Sequence, residues 1–322
     1  MPCTAVTLLF LLMLTCASAG ACRTNTAAAT RRPMVRLTTG LPGAGFHPLG
    51  QALATAYEKT WPGIEIQIKE SAGSVSNVEA IQLGQADVGF AFADVAYIAF
   101  VGRLAGMPQP FGRLRGIAEL QLTPLHLVVR PGSEIRDVPA LRGRRVGLGP
   151  PGSGTALTAG LVLEAFGVGA RTFAAETLPF NVAASRLIEG TLDAMFVNAS
   201  DPAESVRAAT HAGAQLLPLG GTAIDRLRHN YPFLRLTKIP ADTYPGHPAA
   251  VHTIGVDTVL VCRSDLDESL VYELTRHFFD ALPQLSLSQE SLRLMELDQA
   301  PATPIPLHDG AARYYREREL FR

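Results

Sequence analysis

A chain of 322 residues, 47% apolar and 18% charged, holds enough material for one large packed domain or two of ordinary size. Its 28 basic and 29 acidic side chains nearly cancel, and no block of like charge gives it the footprint of a nucleic-acid-binding protein. The Arg pairs at 31–32 and 144–145 are too short to change that. In chain order, the first feature is the apolar run Leu8 to Leu14, followed by small residues from Ala17 to Ala21 and then Cys22. This predicts an export signal over 1–22, too short to span a bilayer. Ala19-Gly20-Ala21-Cys22 has the outline of a bacterial lipobox, with Ala where Leu is usual. Cys22 is therefore expected to be the first mature residue and to carry lipid; ordinary cleavage after Ala19 or Ala21 is the alternative. Residues 23–33, small and polar, read as a flexible tether. Cys3 and Cys16 leave with the signal, so Cys262 is expected as a lone, buried apolar filler, with no disulfide and no metal site.

From Met34 onward, strand-like runs alternate with helical patterns. Val35–Thr39 predicts a strand, Gly40–Gly45 a break, and Leu49, Leu53, Ala56 and Tyr57 a helix. Ile64–Ile68 alternates as a second strand, Val78–Leu83 reads as a short helix, and Asp87–Ala91 as a third strand. Leu125–Arg130 and Val146–Leu148 open a second series, with a helix carrying Leu161, Val162, Ala165 and Phe166. Asp193–Val197 repeats the strand start at Asp87, and short and long strands follow at 214–217 and 256–261, then a helix over Leu270–Leu282. This order predicts parallel α/β units, in two lobes: 34–124 with 252–322, and 125–251.

Ligands of open α/β sheets lie beyond the carboxyl ends of the strands. Three loops there are rich in Gly and Ser: 40–45, 71–77 and 150–155. Gly149-Pro150-Pro151-Gly152-Ser153-Gly154-Thr155 lies between a strand and a helix, where unpaired backbone N–H groups attract anions. Ser153 and Thr155 either cap that helix or bind the ligand. No Lys follows the last Gly, so the loop is not a P-loop. Glu70 to Asn77 gathers short hydroxyl and amide donors suited to a carboxylate, or to turn formation and capping. No nucleophile–base pair or metal spacing emerges from the eight scattered histidines; only His47 falls in a candidate loop.

The ordered set Thr39-Gly40…Gly45-Phe46-His47-Pro48-Leu49-Gly50, Gly73-Ser74-Val75-Ser76-Asn77, Ala86-Asp87-Val88-Gly89-Phe90, Gly152-Ser153-Gly154-Thr155, Leu192-Asp193-Ala194-Met195-Phe196 and Pro304-Ile305-Pro306-Leu307-His308 resembles the TAXI family. These are extracytoplasmic receptor subunits of certain TRAP transporters. The resemblance runs from about residue 35 to the C-terminal segment. It implies an α/β, two-lobed type II periplasmic-binding fold with a hinge, no catalysis and no cofactor. It also implies capture of a small anionic, glutamate- or dicarboxylate-like solute for a TRAP-type membrane permease. The ligand residues it implies are Gly40, Gly43, Phe46, His47, Ser71, Ser74, Asn77, Phe92, Asp94, Gly152, Ser153, Gly154 and Thr155. Where family members often carry Tyr, this chain has Phe46 or His47; where they carry Gln, it has Phe92. Losing that amide adds an apolar wall and points to a ligand less polar than glutamate. The expected location is the periplasm or the outer face of a bacterial membrane. A sensory receptor feeding a signalling partner is the alternative, because closure on a ligand serves both roles.

Overall fold

The computed structural model describes residues 33–41 and 44–319. The expected signal with Cys22, the tether as far as residue 32, and Gly43 lie outside the described residues. The chain runs β1 (Met34–Thr38), α1 (Phe46–Thr60), β2 (Glu65–Lys69), α2 (Ser74–Gln82), β3 (Val88–Phe92), α3 (Ala93–Phe100) and β4 (Leu114–Val129). It continues with β5 (Arg145–Gly147), α4 (Gly154–Ala165), β6 (Ala174–Glu176), α5 (Phe180–Ile188), β7 (Ala194–Asn198) and α6 (Glu204–His211). β8 (Gln215–Leu217), α7 (Thr222–Asn230), β9 (Leu234–Ile239), β10 (Val251–Arg263), α8 (Glu268–Ser288) and α9 (Asp309–Glu317) complete the order. In α1, Leu49, Leu53 and Tyr57 recur every four residues and are buried together, with the Tyr57 hydroxyl donating to the Leu274 carbonyl of α8 at 2.9 Å. The start of α8 is fixed by Asp267, whose carboxylate accepts the Leu270 N–H at 3.1 Å. Among the described residues, no helix is long and apolar enough to cross a membrane.

The strands form a mixed sheet ordered β2-β1-β3-β10-β4-β7-β5-β6, with β8 on β4 and β9 on β10. β1 lies parallel to β2 and β3, and β5 parallel to β6 and β7, as the strand–helix alternation predicts. The centre departs from that expectation: β4 and β10 run antiparallel to each other and to their other partners. Antiparallel neighbours need no crossover helix, so these two long strands can run through both groups. β4 pairs with β10 as far as Pro124 and with β7 and β8 from Leu125. Pro124 has no N–H to give to a ladder and sits where the strand changes partner. The neighbouring Leu125 carbonyl accepts from the Thr253 hydroxyl at 2.6 Å.

The repeated Asp strand start has one physical cause in both groups. The Asp87 carboxylate accepts from Arg36 N, Nε and Nη2 at 2.9, 2.8 and 2.7 Å. Asp193 accepts from the same three atoms of Arg145 at 2.9, 3.0 and 3.1 Å. Each pair locks the entry of one strand to its neighbour and seats a fully buried Phe, Phe90 or Phe196, three residues on. Burial pushes the Asp87 carboxyl up, but the Arg36 bonds outweigh it and hold the group low. The Arg145 bonds hold Asp193 low against a smaller burial effect. The two groups of strands share an apolar cluster in which Val95 and Ile98 of α3 lie with Val162 and Leu163 of α4. Cys262 is fully buried in β10.

Candidate functional site

A cleft of about 510 Å³ opens where the loops after β1, β2, β5 and β7 converge with the end of β3. That is within the ~300–1,000 Å³ usual for small-molecule sites. Gly40, Phe46, His47, Ser74, Phe92, Ser153, Gly154 and Thr155 line it. Ser71, Asn77, Asp94 and Gly152 are not among its lining residues. The expected loop over 71–77 ends early, because α2 already begins at Ser74. The cause is non-local: the Gly152 carbonyl accepts the N–H groups of Val75 and Ser76 at 3.1 and 3.3 Å and so caps the helix. Gly152 can do this because its φ of +80° suits glycine, and an added methyl would run into the Ser76 hydroxyl.

Within α2, Asn77 is fully buried and fully used. Its amide donates to the carbonyls of Thr39 at 2.7 Å and Phe90 at 2.8 Å. Its oxygen accepts from the hydroxyls of Thr38 at 2.6 Å and Ser71 at 2.5 Å. Asn77 and Ser71 therefore stitch β1, β3 and α2 together behind the cleft. Asp94 is likewise spent, accepting from the Thr158 hydroxyl at 2.6 Å and the Val95 N–H at 2.7 Å. Burial pushes its carboxyl up to about 6 in spite of those bonds. Ser74 has a supporting part as well as a lining one, since its hydroxyl accepts the Phe92 N–H at 3.0 Å. The Phe92 ring packs against Phe46 at 5.1 Å, and a methyl on Gly154 would collide with it, so this ring lies against Gly154 at the start of α4.

The two hydroxyls at α4 differ. Thr155 accepts the Asn198 N–H at 3.2 Å and so ties α4 to the end of β7. Ser153 stands at the N-cap position yet makes no capping bond; it is 6% exposed and its hydroxyl has no hydrogen-bond partner. Three more buried polar atoms in the cleft lack partners: His47 Nδ1, Gln121 Oε1 and Asp201 Oδ1. Asp201 Oδ1 does lie 3.4 Å from His126 Nε2. That ring is already engaged, however, with Nδ1 3.1 Å from the Val197 carbonyl and Nε2 3.0 Å from the Tyr244 hydroxyl. A carbonyl only accepts, so Nδ1 donates to Val197, and the Tyr244 oxygen accepts the Ala203 N–H at 2.7 Å.

Sequence reasoning missed Gln121, Thr123, Phe180, Thr258 and the loop from Asn198 to Ser205, all of which line the cleft. Asn198-Ala199-Ser200-Asp201-Pro202 carries a usable signal: a polar, turn-forming stretch directly after a predicted strand. Gln121 and Thr123 alternate with Leu120, Leu122 and Pro124, which line a second cavity of about 400 Å³ together with Glu119, Arg235 and Glu296.

The sequence profile of the NMT1-like family matches residues 37–318, nearly the whole described chain. The chain belongs to the NMT1-like family. This NMT1-like chain also shares its fold with solved periplasmic binding proteins. The alkanesulfonate-binding protein of Xanthomonas axonopodis pv. citri, solved with MOPS bound, is 17% identical with a TM-score of 0.51, covering 91% of this chain and 96% of its own. A structure described as a periplasmic transporter is 13% identical with a TM-score of 0.57, over 91% and 95%. The putative sulfonate-binding protein of Methylobacillus flagellatus KT is 13% identical with a TM-score of 0.51, over 90% and 96%. The mixed α/β fold of the NMT1-like chain is therefore that of periplasmic binding proteins.

Proposed function

We propose that this protein is an extracytoplasmic receptor that takes a small carboxylate-bearing solute into the cleft and delivers it to a TRAP-type secondary permease, without chemistry. One observation carries the reading: four residues that line one cavity each hold a buried polar atom without a partner, beside the N-terminal turns of α1 and α4. Unpaired buried polar groups cost stability unless something meets them, and a ligand can. Neither α1 nor α4 has an acidic residue in its first turn, so both positive helix ends are available to an anion. Ser153 has no base within hydrogen-bond reach to activate it, which favours binding over catalysis. The named sulfonate-binding relatives of similar fold support an anionic group, while the permease type rests on the TAXI resemblance. The partner change of β4 at Pro124 supports lobes over 34–124 with 252–322 and over 125–251, hinged on β4 and β10. Lipid on Cys22 would tether this receptor at the membrane.

The test is a thermal-shift screen of the purified protein with succinate, glutarate, L-glutamate, L-phenylalanine, L-leucine and 3-phenylpropanoate, beside uncharged sugars. A ligand at a hundred times its Kd adds about 2.7 kcal/mol to stability by mass action, so a true ligand raises Tm by several degrees. An unchanged Tm with every acid, or a response confined to the sugars, would overturn the reading.

A further inference from the structure

The two long strands at the hinge have a second face, turned away from the cleft. Gln121 and Thr123 of β4 and Thr258 of β10 line the cleft, while Leu120, Leu122 and Pro124 line the cavity of about 400 Å³ on the other side. The residues around this rear cavity divide between the two lobes proposed above. Those before 125 and after 251 belong to the first lobe; Asp201, residues 235–238 and Pro240 belong to the second. The rear cavity is therefore a gap between the lobes, with β4 and β10 separating it from the cleft.

The walls of this gap carry opposite charge. The second-lobe wall holds Arg235 and Lys238 against one acid, Asp201, while the first-lobe wall holds Glu119 and Glu296 and no base. Arg235 reaches Asp257 Oδ1 at 2.5 Å, where β10 leaves β9 at Val256 and meets β3 at Thr258. One cation is thus held at the pivot, whereas Lys238 and Glu296 make no ion pair among the described residues. Burial, and then Asp257, push the Glu119 carboxyl up to about 8, so near neutral pH Glu296 supplies the charge of its wall. The front is in contact at the same time: the Gly152 carbonyl of the second lobe accepts from Val75 and Ser76 of the first, and Thr158 of α4 donates to Asp94 of α3. A hinge with its axis along β4 and β10 moves its two sides in opposite senses. Parting the front contacts therefore swings the rear walls together, and opposite charges gain as that gap narrows.

We propose that this rear gap is an electrostatic control on the hinge, in which Arg235 and Lys238 facing Glu119 and Glu296 favour the open cleft. This rests on the two-lobed receptor reading above and adds to it a set of residues that act on binding from the far side of the hinge. A solute that needs the closed cleft binds more weakly by the fraction of protein not already closed, and the rear charges set that fraction. Lys238 is exposed, so dissolved salt screens the attraction.

Hydrogen exchange of the ligand-free full chain tests it, because the Val75 and Ser76 amides are protected only while the front contact with Gly152 holds. Lys238→Gln and Glu296→Gln should each slow exchange at these two amides by about 1.5- to 5-fold, the scale of one partly exposed ion pair. In the wild type, about 0.5 M KCl should slow it by a similar factor, an arm that needs no variant. Lys238→Glu should slow exchange further, and adding Glu296→Lys to it should bring the rate back towards that of the wild type, which a merely structural role for either side chain would not do. Amides of β7, in the buried core, serve as the control for folding. Exchange at 75 and 76 that ignores salt and the folded variants, that speeds up, or that the charge swap leaves no nearer the wild type overturns the proposal. A response at these amides with no Tm rise for any acid in the screen keeps the hinge control and removes the receptor reading. A Tm rise with no response at the amides does the reverse.

Discussion

Replacing Ser153 and Thr155 by alanine, one at a time, separates a ligand contact from a structural one within a single helical turn. An ordinary Ser N-cap is worth about 0.5–2 kcal/mol, but Ser153 makes no capping bond that could be lost. Its hydroxyl is buried and unpaired, a condition that costs about 1–3 kcal/mol, so removing it should leave the ligand-free protein as stable as before or slightly more so. With ligand present, the same change deletes a hydrogen bond to a charged group, about 1.5–3 kcal/mol, and affinity should fall about ten- to a hundredfold. Thr155→Ala should behave the other way. It leaves the buried Asn198 N–H without its acceptor, so stability should drop by about 1–3 kcal/mol, a loss of several degrees in Tm. Melting curves without ligand and calorimetric titrations with the best acid from the screen measure both quantities. A Ser153→Ala protein that melts lower by a normal cap's worth and binds unchanged would refute the assignment of Ser153 to the ligand.

Three further outcomes follow from the same geometry. Asn77→Ala strands two carbonyls and two hydroxyls at once and should cost about 2–4 kcal/mol in urea unfolding, with binding in the surviving folded fraction little altered; a stable variant with lost affinity would return Asn77 to the ligand. Phe92→Gln opens the apolar wall while keeping the Ser74 bond to its backbone, and competition titrations should shift towards L-glutamate over L-phenylalanine; an unchanged preference would show that Phe92 does not face the side chain. Glu119 is pushed up to about 8, first by burial and then by Asp257, against the pull of Arg235 and with Glu296 adding to the rise. Because its folded value lies above the ordinary 4.5, its favourable contribution is complete below pH 4.5 and fades as pH rises through 8. Tm should therefore fall across that window and fall less in Glu119→Gln, and identical profiles for the two proteins would contradict this.

Period-two and helical spacing read in the sequence locate most strands and helices, and Asp87 and Asp193 mark the two parallel groups. Their arginine partners escaped notice because Arg36 and Arg145 lie 51 and 48 residues away, and only the folded register brings them together. β9 was missed because Leu234-Arg235-Leu236-Thr237-Lys238-Ile239 alternates with a half-exposed face, and β6 because three residues carry no period. The first half of β4 was passed over for the same reason that makes it important: Gln121 and Thr123 interrupt its apolar run to face the cleft. The loops at Gly40–Gly45 and Gly149–Thr155 could be picked out because glycines between a strand and a helix have few other uses. Inside such loops the sequence cannot tell a lining residue from a supporting one. Ser71, Ser74 and Asn77 look alike as short polar donors, yet only Ser74 lines the cleft, because α2 starts at a carbonyl supplied from Gly152.

What marks the cleft as a binding site is contrast with its surroundings. Elsewhere in the fold, polar groups are matched closely: Asn77 makes four bonds, Asp87 and Asp193 three each to their arginines, and His126 uses both ring nitrogens. Among the described residues six buried side-chain atoms lack a well-formed hydrogen bond, and four of them belong to residues that line this one cavity. The other two are the Nε atoms of Arg235, whose guanidinium pairs with Asp257, and of Arg263, which lies 2.5 Å from Asp265 Oδ1 in an ion pair. At about 1–3 kcal/mol apiece, four unmatched groups are comparable with the whole net stability of a typical domain, about 5–15 kcal/mol. A fold that satisfies Asn77 so fully a few residues away has the means to satisfy these four as well. Their concentration among the residues around one cavity therefore marks this cleft as the place where the fold forgoes stability, as binding sites do.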